Sequence, residues 1–303
     1  MKIGVLESPQ DGFIQDVVSR LQDHEVEFLS YGETGAPVAG EYRVVVDRLS
    51  FQHTYLTEIM KSLALGGTYV INNPFAASAT NKVIDHKLGS LLGIPFPRTV
   101  LLPCSGGEGT GGVIREPSWE RVVQEVGLPC ILKPYNGYAW DDVYLVSTLA
   151  ELRELYQSLA AWQVLLAQQL IKYRYYYRAF CLDQKEVLFI RWVPRPQALG
   201  QYLASDLQEL EPLKDTLAEM TIQLNQSLDL DVNVVEWCLD EEGRPWAIDA
   251  FNEVPEINKE NLPEQYYLWI VDKFVDCIRD KVRSGRRNRP LFQPASSLAR
   301  ASS

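Results

Sequence analysis

VNVVEWCLDEEGRPWAIDAFN, residues 232–252, is the stretch from which the reading of this chain starts. Its two apolar runs, VNVVEWCLD (232–240) and PWAIDAFN (245–252), have the composition of strands, and Glu-Gly-Arg-Pro between them reads as a hairpin turn. A hairpin of this length sets Glu236 and Asp249 side by side, with Asn252 on the same strand as Asp249. Val234, Val235, Trp237, Trp246 and Ile248 surround them, so both acids are expected to be enclosed. Enclosed carboxylates without cationic partners are costly, and a bound cation is a natural resolution. An oxygen-only ligand set suits Mg²⁺ shared with phosphates. The competing reading is two acids on a solvated hairpin face.

Two lysines upstream strengthen the metal reading. Lys133, in ILKPYNGYAWDDVYLV (131–146), stands at the end of a β-rich run before a proline and a loop. An ammonium there is placed to neutralise nucleotide phosphates. Lys82, in INNPFAASATNKVIDHKLGSLLGIPFPRTVLLP (71–103), falls in the first turns of a predicted helix that stops at Gly93, ahead of Pro95 and Pro97. A single lysine is most often a solvated charge. Two of them, in order, ahead of an acid–acid–amide cluster are a rarer arrangement.

From about residue 65 to 258 the order of these parts resembles the ATP-grasp superfamily, and within it a bacterial group related to the ribosomal-protein glutamate ligases and glutathione synthetase-like enzymes. The helix carrying Asn81-Lys82, followed by GIPFPRT (93–99), looks like the first ATP lysine; ILKP (131–134) looks like the second. LLAQQLI (165–171) looks like the adenine hinge, which places Gln169, Leu170 and Ile171 against the nucleotide. The resemblance implies that Gly137 belongs to the phosphate loop and that Glu236, Asp249 and Asn252 hold one or two Mg²⁺ ions. Arg178, in YYYRAFCL, and Arg191, in LFIRWVP, match arginines that would contact the acyl phosphate through bidentate bonds, although a surface salt bridge is the competing role for each.

The implied fold class is α/β with an α+β ATP-grasp body: an N-terminal doubly wound parallel-sheet lobe, then two α+β lobes that enclose ATP. The implied activity is ADP-forming ligation of a carboxylate to an amine through an acyl phosphate, on an amino-acid or peptide-like substrate. The alternative is a non-catalytic ATP-binding protein with a regulatory or assembly role.

Composition is compatible with this. The chain has 303 residues, 46% of them hydrophobic, enough for more than one core. A net charge of −11 gives no basic footprint for nucleic acid and disfavours anionic membranes. Five cysteines, none in a C-x-x-C pair, read as buried free thiols. The start has no long apolar core of a signal peptide, so the cytoplasm is the expected compartment. A homo-oligomer is left open.

Along the chain, residues 1–75 alternate strand and helix signals, as a small parallel sheet does. Residues 76–160 read as a linking helix and a small lobe, with SGGEGTGG (105–112) as a flexible connector. Residues 161–283 hold the hinge, a run of strands, a long helix over 206–230, the hairpin and an amphipathic closing helix. Residues 284–303 are expected to be a disordered tail. Tyr173, Tyr175, Tyr176, Tyr177 and Trp192 are candidates for an amino-acid pocket, with core packing as the commoner use.

Three departures from the family pattern bear on turnover. The loop Asn136-Gly137-Tyr138-Ala139-Trp140-Asp141-Asp142 has one glycine where active relatives have several, and two acids that would repel ATP unless they point away. The hinge lacks the usual acid at Gln169. The metal strand reads Asp-x-x-Asn rather than Glu-x-Asn.

Overall fold

A computed structural model describes residues 1–31, 40–104, 113–137, 141–194 and 201–290. The glycine-rich connector at 105–112, loop residues 138–140 and the tail beyond 290 lie outside the described residues.

The first 71 residues build a four-stranded parallel sheet from β1 (Lys2–Leu6), β2 (Glu25–Phe28), β3 (Val44–Asp47) and β4 (Tyr69–Ile71), in the order β2-β1-β3-β4. The unbroken apolar run of β3 fits a strand covered on both faces. Val44 and Val46 pack with α1 (Gly12–Ser19), whereas Val45 packs with α2 (Thr54–Leu65). The Asp11 carboxylate accepts the Ile14 N–H at 2.8 Å and starts α1 as an N-cap.

The second sheet is antiparallel, in the order β5 (Thr99–Leu102), β8 (Leu165–Gln169), β6 (Cys130–Pro134), β7 (Tyr144–Val146). Helices α5 (Trp119–Val126) and α6 (Leu149–Leu159) cover one face through Trp119, Val122, Leu152 and Tyr156. Its other face looks into the cleft described below. β8 lies between β5 and β6, so this small sheet runs on to Gln169 rather than ending near residue 160. Register with a distant strand moves that boundary, and no local pattern reports it.

The third sheet is also antiparallel, ordered β11 (Tyr202–Leu203), β10 (Glu186–Trp192), β9 (Tyr173–Leu182), β12 (Val232–Asp240), β13 (Pro245–Asp249). Period-two alternation in β9 sends Tyr176 and Phe180 to one face and Tyr177 and Ala179 to the other. The second face is closed by α7 (Lys214–Leu228), through Leu217 and Leu224. α7 is shorter than the predicted helix over 206–230. Pro212 disfavours helical geometry at the preceding residue, and 208–213 form turns instead.

Short α3 (Pro74–Ala77) and then α4 (Lys82–Leu92) follow the first sheet; α4 ends at left-handed Gly93. The closing helix α8 (Glu264–Ser284) presents Tyr267, Ile270, Val271, Phe274, Ile278 and Val282 as one stripe. That stripe joins a single core shared by the first and third sheets.

The described part of the tail is docked, against the expectation of disorder from residue 284. Asn288 is buried, accepts the Val70 N–H at 2.7 Å and donates to the Val70 carbonyl at 2.8 Å, pairing the open edge of β4. All five cysteines are free, and four are buried. No helix among the described residues is long and apolar enough to cross a membrane.

Candidate active site

The three sheets meet at two adjoining cavities of ≈ 410 and ≈ 680 Å³. Lys82, Gly137, Asp249, Phe251 and Glu253 line both, so Asp249 stands where the two join.

Lys82 opens α4. The Asn81 side chain caps the helix by accepting from Val83 N at 3.0 Å and Ile84 N at 3.2 Å. The Lys82 N–H donates to the Tyr135 carbonyl at 2.9 Å, and its Nζ donates to the Gly137 carbonyl at 3.0 Å. Nζ also lies 3.2 Å from Asp249 Oδ2. One residue therefore ties the linking helix, the loop after β6 and the hairpin together. Gly137 is closely packed there: a Cβ would meet the Pro134 ring at 3.2 Å, and the ring would have to give by a few tenths of an ångström.

Lys133, the penultimate residue of β6, has 6% exposure and makes no ion pair among the described residues. Burial pulls its pKa down to about 8, with Asp249 working in the opposite direction. An ammonium this poorly compensated gains more from an arriving anion than a solvated lysine does.

The two hairpin acids face each other, as expected: Glu236 pairs with Asp249 across β12 and β13, beside a register shift at Glu236/Trp237. They are not, however, without cationic partners. Arg178 places Nε and Nη2 on Glu236 Oε1 at 3.0 and 2.7 Å, and the Tyr176 hydroxyl donates to Oε2 at 2.7 Å. Arg178 in turn lies 4.0 Å over the Trp192 ring and donates to the Tyr202 hydroxyl at 2.7 Å. Asp249 has Lys82. The premise that a cation must be bound to make these acids tolerable is corrected by these contacts.

One atom still has no counterpart. Asp249 Oδ1 is buried and accepts no hydrogen bond from the described residues. Burial pushes the Asp249 carboxyl up, but Lys82 and Lys133 outweigh it and hold the group below its ordinary range, so it is anionic. A charged carboxylate oxygen left without a donor, beside Glu236 and the Asn252 amide, fits an oxygen-coordinated cation.

Asn233, fully buried behind the hairpin, sets this geometry. Its side chain accepts the Asn252 N–H and donates to the Ala250 carbonyl, both at 2.8 Å. The Val234 N–H reaches the Asn252 carbonyl at 3.0 Å, so the ladder runs past Asp249 and keeps Asn252 at the cavity wall.

Gln169, Leu170 and Ile171 line the smaller cavity together with Ile131 and Val143. The Gln169 side chain is committed, accepting from Arg98 N and Nε at 3.3 Å each. Of the two acids in the phosphate loop, Asp142 is turned aside, accepting from the Tyr144 hydroxyl at 2.9 Å and Gln163 Nε2 at 3.0 Å.

Of the nominated residues, only Arg191 is not brought to this place. It contacts Glu209 and sits 4.8 Å over the Tyr175 ring, on the face of the third sheet that α7 covers. The tyrosines divide in the same way. Tyr173, Tyr176 and Trp192 line the cavity, while Tyr175 and Tyr177 face the opposite core.

Sequence reasoning passed over Asp85 and Glu253. Asp85, three residues after Lys82 on the same helix face, is 2% exposed. Burial, and then the neighbouring Asp249 charge, push its carboxyl well above the ordinary range. Glu253, beside Asn252, is raised to about 7 by burial. The spacing from Lys82 and the adjacency to Asn252 were the available signals.

Solved structures place this architecture. A RimK-domain ATP-grasp protein from Sphaerobacter thermophilus superposes with a TM-score of 0.65 at 20% identity, over 93% of this chain and 99% of that one. D-alanine–D-alanine ligase from Bacillus anthracis, complexed with ATP, gives 0.67 at 15% identity, over 94% and 98%. The chain has the ATP-grasp fold. The ATP-grasp ligase PsnB, complexed with a phosphomimetic minimal precursor, Mg and ADP, gives 0.63 at 17% identity over 93% and 98%. No family model matches the sequence, and the search of curated proteins finds no match.

Proposed function

We propose that this ATP-grasp chain is an ATP-dependent, ADP-forming ligase that joins a carboxylate to an amine. The observation that carries the reading is the convergence at Asp249: two lysines from separate elements, a second acid across the hairpin, and one anionic oxygen without a partner. Supporting it, solved structures of the same fold include ligases that bind ATP, or ADP with Mg.

Adenine would lie against Gln169, Leu170 and Ile171, with the phosphates directed to Lys82, Lys133 and Gly137. Glu236, Asp249 and Asn252 would hold Mg²⁺, which supplies neutralisation of phosphate charge. Lys82 exchanges part of its contact with Asp249 for phosphate oxygen, and Lys133 gains the anion it lacks. Arg178, over the Trp192 ring and fixed by Glu236, presents a guanidinium to the carboxylate being activated. The carboxylate attacks the γ-phosphorus, ADP leaves, and the amine displaces phosphate from the acyl carbon. The larger cavity, open to the first at Asp249, is the place for the amine.

The test is ADP release from Mg-ATP incubated with pools of carboxylates and amines. ADP formation that needs both pools is expected. Nucleotide that binds but yields no ADP with any mixture would replace the ligase with a non-catalytic ATP-binding protein.

A further inference from the structure

We propose that Asn72 is a positioning residue for the magnesium site: its amide, reaching over from the first lobe, fixes where Asn252 and Glu253 stand. This role rests on the proposed function, in which Asn252 meets Mg²⁺ beside the nucleotide.

Asn72 follows β4 directly, is 6% exposed and lines the larger cavity. Its side chain makes three hydrogen bonds, all to main chain around the hairpin. Nδ2 donates to the Val232 carbonyl at 2.7 Å and to the Glu253 carbonyl at 2.8 Å, and Oδ1 accepts the Val232 N–H at 2.7 Å. The amide has two hydrogens to give, so both are spent.

The hairpin register explains why an amide is useful there. In an antiparallel strand, alternate residues turn their N–H and C=O toward the same neighbour. Glu236 faces Asp249, and the Val234 N–H reaches the Asn252 carbonyl, so Val232 presents its main-chain groups on that same side. β13 has ended by then, at Asp249. The Asn72 amide stands in for the strand partner, meeting both the N–H and the C=O of Val232 and continuing to Glu253. The stretch from Asp249 to Asn252 is also one residue longer than the stretch from Glu236 to Val234 opposite it. A bulge of this kind leaves main-chain groups outside the ladder. Asn233 takes those of Ala250 and Asn252, and Asn72 takes that of Glu253. Asn252 is thus held at its own N–H and again at the next residue. A side-chain amide on a bulge can serve a metal only where the backbone under it is fixed in this way.

Asn73 supplies the comparison. It is 2% exposed, and its Nδ2 donates to Asp229 Oδ2 at 2.8 Å and to the Arg289 carbonyl at 3.0 Å, at the end of α7 and in the docked tail. Both asparagines join the first lobe to the rest of the chain. Of the two, Asn72 alone bonds to the main chain beside Glu236 and Asn252.

Calorimetry of the full chain with a non-hydrolysable ATP analogue, first without and then with Mg²⁺, gives the metal-free nucleotide affinity and the affinity of the loaded protein for the metal. A parent whose nucleotide binding ignores Mg²⁺ sinks the proposed function, and the role of Asn72 with it, before any variant is compared. In Asn72→Ala the loaded protein should bind Mg²⁺ about ten- to a hundredfold more weakly, the usual effect of removing a group that orients a metal ligand, with metal-free affinity at the parental value. Asn73→Ala should keep the parental metal affinity even where its unfolding midpoint falls as far. Parental metal affinity in a folded Asn72→Ala variant overturns the positioning role and leaves the proposed function standing. So does an equal loss in Asn73→Ala, which would make the effect a general loosening between lobes. Should the alanine variant not fold, Asn72→Asp, of the same shape with oxygen in place of the donor nitrogen, is read against the same two outcomes. Should neither fold, the side-chain amide signals of the parent in NMR decide. Mg²⁺ added to the nucleotide-bound protein should move those of Asn72 and leave those of Asn73, and unmoved Asn72 signals overturn the role.

Discussion

Two buried clusters of acids and lysines lie in this molecule, and they are put together differently. Asp183, Asp231 and Lys281 form the first. The Lys281 ammonium, 1% exposed, reaches Asp183 Oδ1 at 2.5 Å and Asp231 Oδ1 at 2.9 Å. Lys185 takes Asp183 Oδ2, and the Tyr69 hydroxyl takes Asp231 Oδ2 at 2.7 Å. Every carboxylate oxygen is used, and neither cavity reaches the group. Cys277 and the two acids stand close enough together for a metal, but the Lys281 ammonium already pairs with both acids. The second cluster, Lys82, Lys133, Asp85 and Asp249, has similar charges. Among the described residues it leaves two carboxylate oxygens without donors and one lysine without an ion pair, and it opens on two cavities. A closed cluster holds a fold together. An open one is completed by something that arrives.

Substitution should separate the two. Lys281→Met leaves Asp183 and Asp231 buried without their main counter-charge. We expect a loss of about 3–5 kcal/mol of stability, read by denaturant unfolding. A loss under about 1 kcal/mol would break the contrast. Glu236→Gln and Asp249→Asn keep the shape of the open site but remove the charge that magnesium needs. Turnover with the true substrates should fall on the order of 10²–10³-fold, with far-UV circular dichroism unchanged. Parental turnover in either variant would return these acids to a structural role. Lys133→Ala comes next. The protein should fold, and calorimetric affinity for Mg-ATP should weaken by about 1.5–3 kcal/mol, the value of a charge-assisted contact. Unchanged affinity would make Lys133 an ordinary buried lysine.

How much of this could be read beforehand follows the range of the interactions. The hairpin acids were legible because a short turn fixes which residues face each other, and the Glu236–Asp249 register follows from it. Lys82 and Lys133 were legible at a helix start and a strand end. The Arg178–Glu236 pair was not, since it depends on β9 lying beside β12, a neighbourhood set across 58 residues of chain. Arg191 went to the wrong face for the same reason. It pairs with Tyr177 while Arg178 pairs with Ile190, and only that register tells the two arginines apart. Asn288 on Val70 joins residues 218 apart, so a polar tail gave no local sign of docking. The closed cluster is equally non-local, with Tyr69 from β4, Asp183 just past β9, Asp231 just before β12 and Lys281 from α8.

The smallest expected effect is the sharpest test of the open cluster. Asp85 is held with its carboxyl well above the ordinary range, by burial first and the Asp249 charge second. The folded protein therefore keeps a proton on Asp85 over a pH range in which the unfolded chain has released it. More protons on the folded state mean that stability falls as pH rises through that range. Asp85→Asn removes the titrating group and keeps the shape. Below the ordinary carboxylate range, both proteins carry a neutral side chain there and should differ little. As pH rises, the variant should overtake the parent by about 1 kcal/mol, since it has no buried charge to develop. Thermal or denaturant unfolding across that range measures it. A variant that is less stable than the parent near neutral pH, by a margin like that of Lys281→Met, would show that Asp85 is an internal counter-ion after all, and that the second cluster is closed in the same way as the first.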